Sequence, residues 1–228
     1  MTTIAPTYPT LTPGLVTPPG VYRPQADTLL LARALAREPL DPGADVVEIG
    51  TGTGALALRA AARGAQVTAV DVSWLAVLTA RLNSRLQRLP LRVLHGDFAG
   101  RTQGRRFDLV LSNPPYVPSP ADRLPTHGPG RAWDAGNSGR RVIDRICAAA
   151  PTLLRPEGVL LMVHSGMCGA QDTVGLLQNR GLVAEVTERA SVPWGPVLRS
   201  RRAWLREQGL ASEGAEQEEL VVVRARRS

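Results

Sequence analysis

Asp45-Val-Val-Glu48-Ile-Gly50-Thr-Gly52-Thr-Gly54-Ala-Leu-Ala-Leu-Arg59 is the stretch on which the fold turns. Asp45 to Ile49 is a short apolar run of the kind a buried strand needs. Ala55 to Arg63 is a run of helix formers ended by Gly64. Between them Gly50, Gly52 and Gly54 stand at alternate positions, where the backbone can turn tightly and approach a ligand with no Cβ in the way. The helix that follows presents free N–H groups and a partial positive charge at its N-terminus. A dinucleotide pyrophosphate or the methionine carboxylate of S-adenosylmethionine suits such a site, and a plain strand-to-helix turn has the same pattern. Glu48 and the three glycines are the candidate cofactor residues of this first strand end.

Outward from this stretch, strands and helices alternate. Gln66 to Val70 reads as the second strand and Trp74 to Arg88 as its helix; Leu91 to His95 is a short third strand. Asp108 to Ser112 is the fourth, followed by a Pro- and Gly-rich loop from Pro114 to Gly139 and a helix over 140–154. Gly158 to Val163, Leu182 to Glu188 and Leu220 to Arg224 supply three more strands, with a helix over 171–180. Upstream, Leu29, Leu30, Ala34 and Leu35 mark one face of a helix over 25–37. Residues 1–20, rich in Thr and Pro, read as a mobile arm or extended strap, and residues 21–228 as a single domain. Seven strands with helical crossovers imply a doubly wound, mainly parallel sheet with helices on both faces. Ligands of such sheets bind beyond the carboxyl ends of the strands.

The next two strand ends carry suitable groups. Asp71, with Val72 after it, closes the second strand, where a carboxylate can accept from both hydroxyls of a ribose. An N-cap role is the alternative, although Ser73 is available for it. Asp97 can accept from an adenine amine and Phe98 can pack on the ring; a polar turn is the alternative.

The fourth strand runs into Asn113-Pro114-Pro115-Tyr116. Two prolines fix φ and remove two backbone donors, leaving a stiff corner that offers carbonyl oxygens and the Asn113 side chain. A planar NH₂ group has two hydrogens and a delocalised lone pair. Asn113 Oδ1 can accept one hydrogen and the Pro114 carbonyl the other, which aims the nitrogen at a sulfonium methyl and stabilises charge developing on it. Tyr116 offers a face for a planar substrate group. Asn113, Pro114 and Tyr116 are therefore the candidate catalytic residues. Pro115 and Trp133 join Asn113 and Tyr116 as candidate substrate contacts, and no metal is needed. Asn113 also borders the cofactor side.

Over residues 21–189 the chain resembles the HemK family of glutamine-amide methyltransferases, in particular its short branch found in eukaryotes and archaea. Besides the corner, the resemblance rests on Val21-Tyr22-Arg-Pro24-Gln-Ala-Asp27-Thr28-Leu-Leu30, and on Thr126-His127-Gly128 through Ala132-Trp133 to Gly136-Asn-Ser-Gly139-Arg140. It implies a class I, Rossmann-like methyltransferase fold and S-adenosylmethionine as cofactor. It places the segment with Tyr22, Pro24, Asp27 and Thr28 over the cofactor's methionine end. The implied substrate is the Gln of a Gly-Gly-Gln motif in a translation termination factor, and the implied partner is a small zinc-binding activator. Two departures stand out: Ala26, where the family usually has an acidic residue, and a long segment over 190–219.

Composition bounds the alternatives. The chain has 228 residues, 43% hydrophobic and 21% charged, the ordinary balance of a globular domain. No run of about 18 apolar residues suggests a membrane span, and no secretion signal is visible, so a cytoplasmic protein is expected. Cys147 and Cys168 are too few for a disulfide framework. The net charge is +7, every basic residue is Arg, and these are spread along the chain. A GC-rich coding bias explains this, while a nucleic-acid partner stays open. The rival acceptor is the exocyclic amine of adenine in RNA or DNA, which needs a flipped base and a basic track. A small-molecule acceptor and a cofactor-binding module without catalysis are further alternatives. His127 reads as loop filler and the Arg199 to Arg206 cluster as a solvated helix face; His164 follows a strand end, with pocket lining as the alternative to a structural role.

A partner is also expected. The third strand, Leu91 to His95, should lie at a sheet edge and can take a small activator by strand addition. Alternatively the 190–219 segment supplies cover itself, anchored by Pro193, Trp194 and Pro196 with a helix over 197–207.

Overall fold

The computed structural model describes residues 14–228. Its seven strands are β1 (Asp45–Ile49), β2 (Gln66–Asp71), β3 (Leu91–His95), β4 (Phe107–Ser112), β5 (Leu154–Ser165), β6 (Leu182–Pro193) and β7 (Gln217–Arg227). They form one sheet in the order β3-β2-β1-β4-β5-β7-β6. The first five are parallel, while β7 pairs antiparallel with both β5 and β6. Parallel strands buried on both faces must be apolar throughout. Val46, Val47 and Ile49 of β1 and Leu109, Val110 and Leu111 of β4 meet that demand, all of them buried.

The helices cover both faces. They are α1 (Ala26–Arg37), α2 (Ala55–Ala61), α3 (Trp74–Gln87), α4 (Phe98–Arg101), α5 (Arg141–Leu153), α6 (Ala170–Gln178), α7 (Pro196–Ser200) and α8 (Arg202–Glu207). The four-residue α4 has no apolar period for the sequence to display. The fifth strand begins at Leu154, earlier than expected, because Leu154 already pairs with Phe107 before Arg155-Pro-Glu-Gly interrupts the ladder.

The last hairpin differs most from expectation. β6 continues to Pro193 and β7 begins at Gln217, so the insertion is 194–216 rather than 190–219. The flanking residues look like loop because they are polar. They extend the ladder through cross-strand pairs: Arg189 with Glu219 at 2.5 Å and Ser191 with Gln217 at 2.6 Å. Inside the insertion the expected single helix is two, α7 and α8, broken at Arg201. Trp194, Leu198 and Leu205 form a second small core there, with Trp194 only 1% exposed.

Residues 14–22 form a strap beside α3, with a turn over 18–21. Buried Asn83 donates to Val16 O (3.0 Å) and accepts from Val16 N (2.8 Å). Residues 1–13, the rest of the expected arm, lie outside the described residues. Among the described residues no helix is long and apolar enough to cross a membrane.

Candidate active site

A cavity of about 470 Å³ lies over the carboxyl ends of β1, β2 and β4, within the ~300–1,000 Å³ usual for small-molecule sites. Its floor is the glycine loop. Gly54 caps α2 with φ +82°, and a Cβ there would stand 3.3 Å from the Ala80 Cβ. Gly52 has φ +53° and faces the strap carbonyl of Tyr22. A side chain at either position would be strained by the positive φ, and at Gly54 it would also press on Ala80 of α3.

Carboxylates brace this loop. Glu48 Oε2 accepts from Thr51 Oγ1 (2.5 Å) and Ala57 N (3.0 Å), so it ties the loop to α2. Burial pushes its pKa up to about 8. Asp71 accepts from Gly52 N (3.0 Å) and Ser73 N (2.8 Å), and its pKa is raised chiefly by burial. The cap of α3 is Ser73, which accepts from Ala76 N, so Asp71 stays at the cavity wall. Val72 lines the wall beside it.

Asp97 is engaged by the protein itself. One oxygen caps α4 through Ala99 N (3.0 Å) and the other pairs with Arg145 (2.6 Å). Asp97 nevertheless lines the cavity. Phe98 is buried against the cavity, with the Arg145 guanidinium 5.3 Å from its ring centroid.

The Asn113–Tyr116 corner closes the far end. Ser112 Oγ donates to Ile49 O (2.9 Å), which fixes the end of β4. Pro114 is buried, and Asn113 and Pro115 are half-buried. Tyr116 lines the cavity and is firmly anchored there. It is only 9% exposed, packs in the main core, and its hydroxyl donates to Asp27 Oδ2 (3.0 Å). The loop after the corner presses so closely that a Cβ on Gly139 would stand 2.3 Å from Tyr116 O. Trp133 is half-buried in the cavity lining.

Asp27, at the start of α1, is the hub that joins strap and corner. Its Oδ2 also accepts from Tyr22 OH (2.7 Å), and its Oδ1 accepts from Thr28 N (2.6 Å) and Thr28 Oγ1 (3.1 Å). Asn113 Nδ2 donates to that same Thr28 hydroxyl (3.3 Å). Tyr22, Pro24, Asp27, Thr28 and the corner thus meet at one end of the cavity.

Three arginines escaped the sequence reading. Besides Arg145, Arg131 donates to Val72 O (2.7 Å) and latches the long loop across the cavity. Arg201 donates to Pro118 O (2.9 Å) and pairs with Asp134 (2.6 Å). Arg201 lies in the supposed solvated cluster, and nothing in its neighbours marks it as different. Of the residues set aside, His127 is exposed, while His164 is buried and held neutral, with burial pushing its pKa down to about 4. Among the described residues no cluster of three or more His, Cys, Asp or Glu is placed to hold a metal.

This fold, with a glycine cradle and acidic strand ends around one cavity, is that of a class I S-adenosylmethionine-dependent methyltransferase. Residues 14–125 match the model of the methyltransferase small domain family. A chain of Methanocaldococcus jannaschii named as a protein N5-glutamine methyltransferase is 32% identical over 79% of this chain and 90% of its own length. The release factor glutamine methyltransferase of Rhodospirillum rubrum is 38% identical over 70% of this chain but 51% of its own length. The chain thus spans about half of that bacterial relative. Among solved structures, the E. cuniculi Mtq2–Trm112 complex responsible for methylation of the termination factor eRF1 superposes with a TM-score of 0.62 at 21% identity. That likeness covers 92% of this chain and 99% of that one. The chain belongs to the family of glutamine-amide protein methyltransferases, and it is an S-adenosylmethionine-dependent N-methyltransferase.

Proposed function

We propose that this enzyme methylates the side-chain amide nitrogen of a glutamine in a translation termination factor. The observation that carries the reading is the Asn113–Tyr116 corner at the cavity end, with the Asn113 NH₂ turned to Thr28 and its Oδ1 left for an acceptor. Asn113 Oδ1 and the Pro114 carbonyl accept the two hydrogens of the acceptor amide and hold its lone pair toward the methyl. Pro115, Tyr116 and Trp133 flank the acceptor side chain. S-adenosylmethionine supplies a methyl group on a sulfonium, a leaving group that needs no metal. Gly50, Gly52 and Gly54, with Tyr22, Pro24, Asp27 and Thr28, would hold its methionine end. Asp71 would hold the ribose and Val72, Asp97 and Phe98 the adenine, with Glu48 bracing the glycine loop.

A small activator protein is part of the reading. β3 is an edge strand, and beside it α3 exposes Trp74, Leu75, Leu78, Leu82 and Leu86, spaced for one apolar stripe. A partner that adds a strand to β3 also covers that stripe. The protein acts in the cytoplasm, where termination factors work. The test is mass spectrometry of a termination factor after incubation with the enzyme and cofactor. A 14-Da gain on the Gln of its Gly-Gly-Gln motif (about the mass of one CH₂) supports the reading, and no gain on any Gln overturns it.

A further inference from the structure

The Asn113 side chain has two ends of nearly equal shape and opposite hydrogen-bonding character. Methyl transfer to an amide nitrogen needs the oxygen end toward the acceptor. A flipped Asn113 would present N–H to N–H, and the acceptor would be repelled. Nothing in the Asn-Pro-Pro-Tyr corner itself chooses between the two orientations. Asn113 is attached at the end of β4, only half-buried, and its neighbours Pro114 and Pro115 have no N–H to offer.

The choice is made across the cavity end, by α1. Asp27 is 3% exposed and receives four donors: Tyr22 OH, Tyr116 OH, Thr28 N and Thr28 Oγ1. A carboxylate accepts only, so the single proton of the Thr28 hydroxyl is committed to Asp27 Oδ1. With its proton so placed, Thr28 Oγ1 has only lone pairs left for Asn113. Lone pairs admit the NH₂ end of the amide and reject the carbonyl end. The Asn113 Nδ2 to Thr28 Oγ1 contact of 3.3 Å is that arrangement.

We propose that Thr28, polarised by Asp27, is the positioning residue that fixes the amide orientation of Asn113 and thereby directs the enzyme to N–H-bearing acceptors. The inference rests on the reading of Asn113 as the group that orients the acceptor. It assigns Thr28 to the acceptor side of the reaction, in addition to any contact it makes with the cofactor. The two tyrosines extend the same device: Tyr22 from the strap and Tyr116 from the corner both donate to Asp27 Oδ2, so neither competes for the oxygen that holds Thr28.

The test uses the full chain saturated with S-adenosylmethionine. Thr28→Val keeps the shape and removes the hydroxyl; Thr28→Ser keeps the hydroxyl. With a Gly-Gly-Gln termination factor as acceptor, Thr28→Val is expected to lower kcat by roughly 10- to 100-fold, less than the loss of a whole preorganised group. Because Thr28 also borders the cofactor's methionine end, cofactor affinity is measured in parallel by calorimetry; kcat at saturating cofactor should fall whatever that affinity does, and Thr28→Ser should recover most of kcat. Wild-type kcat in Thr28→Val overturns the proposal. A loss confined to cofactor affinity, with kcat at saturating cofactor unchanged, also overturns it, because Thr28 then acts on the cofactor alone. A second readout needs neither an acceptor nor a folded Val variant. In the wild-type NMR spectrum the Asn113 side-chain NH₂, identified by its disappearance in Asn113→Asp, should be protected from solvent exchange. A freely exchanging Asn113 NH₂ overturns the proposal even if the acceptor is methylated. Protection with no methylated termination factor overturns only the acceptor assignment.

Discussion

At the residue scale, Asp71 and Asn113 separate binding from chemistry. Asp71 stands at the cavity wall with both oxygens on backbone N–H groups and lone pairs to spare. Asp71→Ala is expected to weaken cofactor binding by about 1.5–3 kcal/mol, the range for hydrogen bonds to a charged group. Calorimetry on the folded variant decides it, and unchanged affinity removes Asp71 from the ribose. Asn113→Ala should leave that affinity nearly intact and lower turnover by roughly 10²–10³, as for loss of one preorganised polar group. A single-turnover assay with radiolabelled methyl measures this directly; wild-type turnover would refute the corner geometry. These residues were legible in the sequence because each sits where a strand period breaks into Gly, Asp or Pro. Tyr116 is legible as a site residue, but its anchoring is not. A motif shows that an aromatic ring is required, whereas burial against Asp27 depends on α1, 89 residues away in the chain. The ion pair of Asp97 is hidden similarly, since its partner Arg145 comes from the far side of the long loop.

At the element scale, the insertion at 194–216 acts as a buttress. α7 and α8 pack around Trp194, and from the break between them Arg201 reaches two points of the long loop, Pro118 O and Asp134. The loop segments that meet there, Val117 and Asp134, are themselves joined as a bridge. Arg201→Ala should therefore raise the acceptor KM several-fold with little change in cofactor affinity, the mark of lost acceptor positioning. Steady-state kinetics with varied acceptor test it: an unchanged KM would show that the loop holds its shape without α7 and α8. The sequence showed that this segment was long and where its anchor lay, at Trp194. It did not show that β6 and β7 run into it, because strand residues with both faces polar have no period to read. The alternating strands and helices of the first 180 residues were legible for the opposite reason, since burial on both faces writes continuous apolar runs into the chain.

For the whole molecule, buried carboxyls set the response to pH. Burial raises Glu48 to about 8 and Glu218, on β7, to about 7, both from an ordinary 4.5. Folded-state values above the unfolded ones give stability that is complete below 4.5 and is lost as pH rises through 7 and 8. His164 works the other way. Its value falls from 6.5 to about 4, so its contribution grows as pH rises to 6.5 and is constant above. Between pH 6.5 and 8 only the carboxyl effect remains, and the melting temperature should fall across that window. Glu48→Gln should flatten the fall, as thermal melts at a series of pH values would reveal. A Tm that rises across the window would contradict the burial argument.

The strap carries a consequence for how the protein is made. Val16 is held by Asn83, a residue 67 positions later that also donates to Thr53 O in the glycine loop. Tyr22 and Asp27 wait for Tyr116 in the same way. During synthesis, residues 14–27 leave the ribosome before the groups that hold them and have no anchor until α3, and then the corner, have followed them out. Until they dock, the nascent chain has a sheet but no finished cofactor chamber, and a translation product halted before Asn83 leaves them untethered and open to proteases.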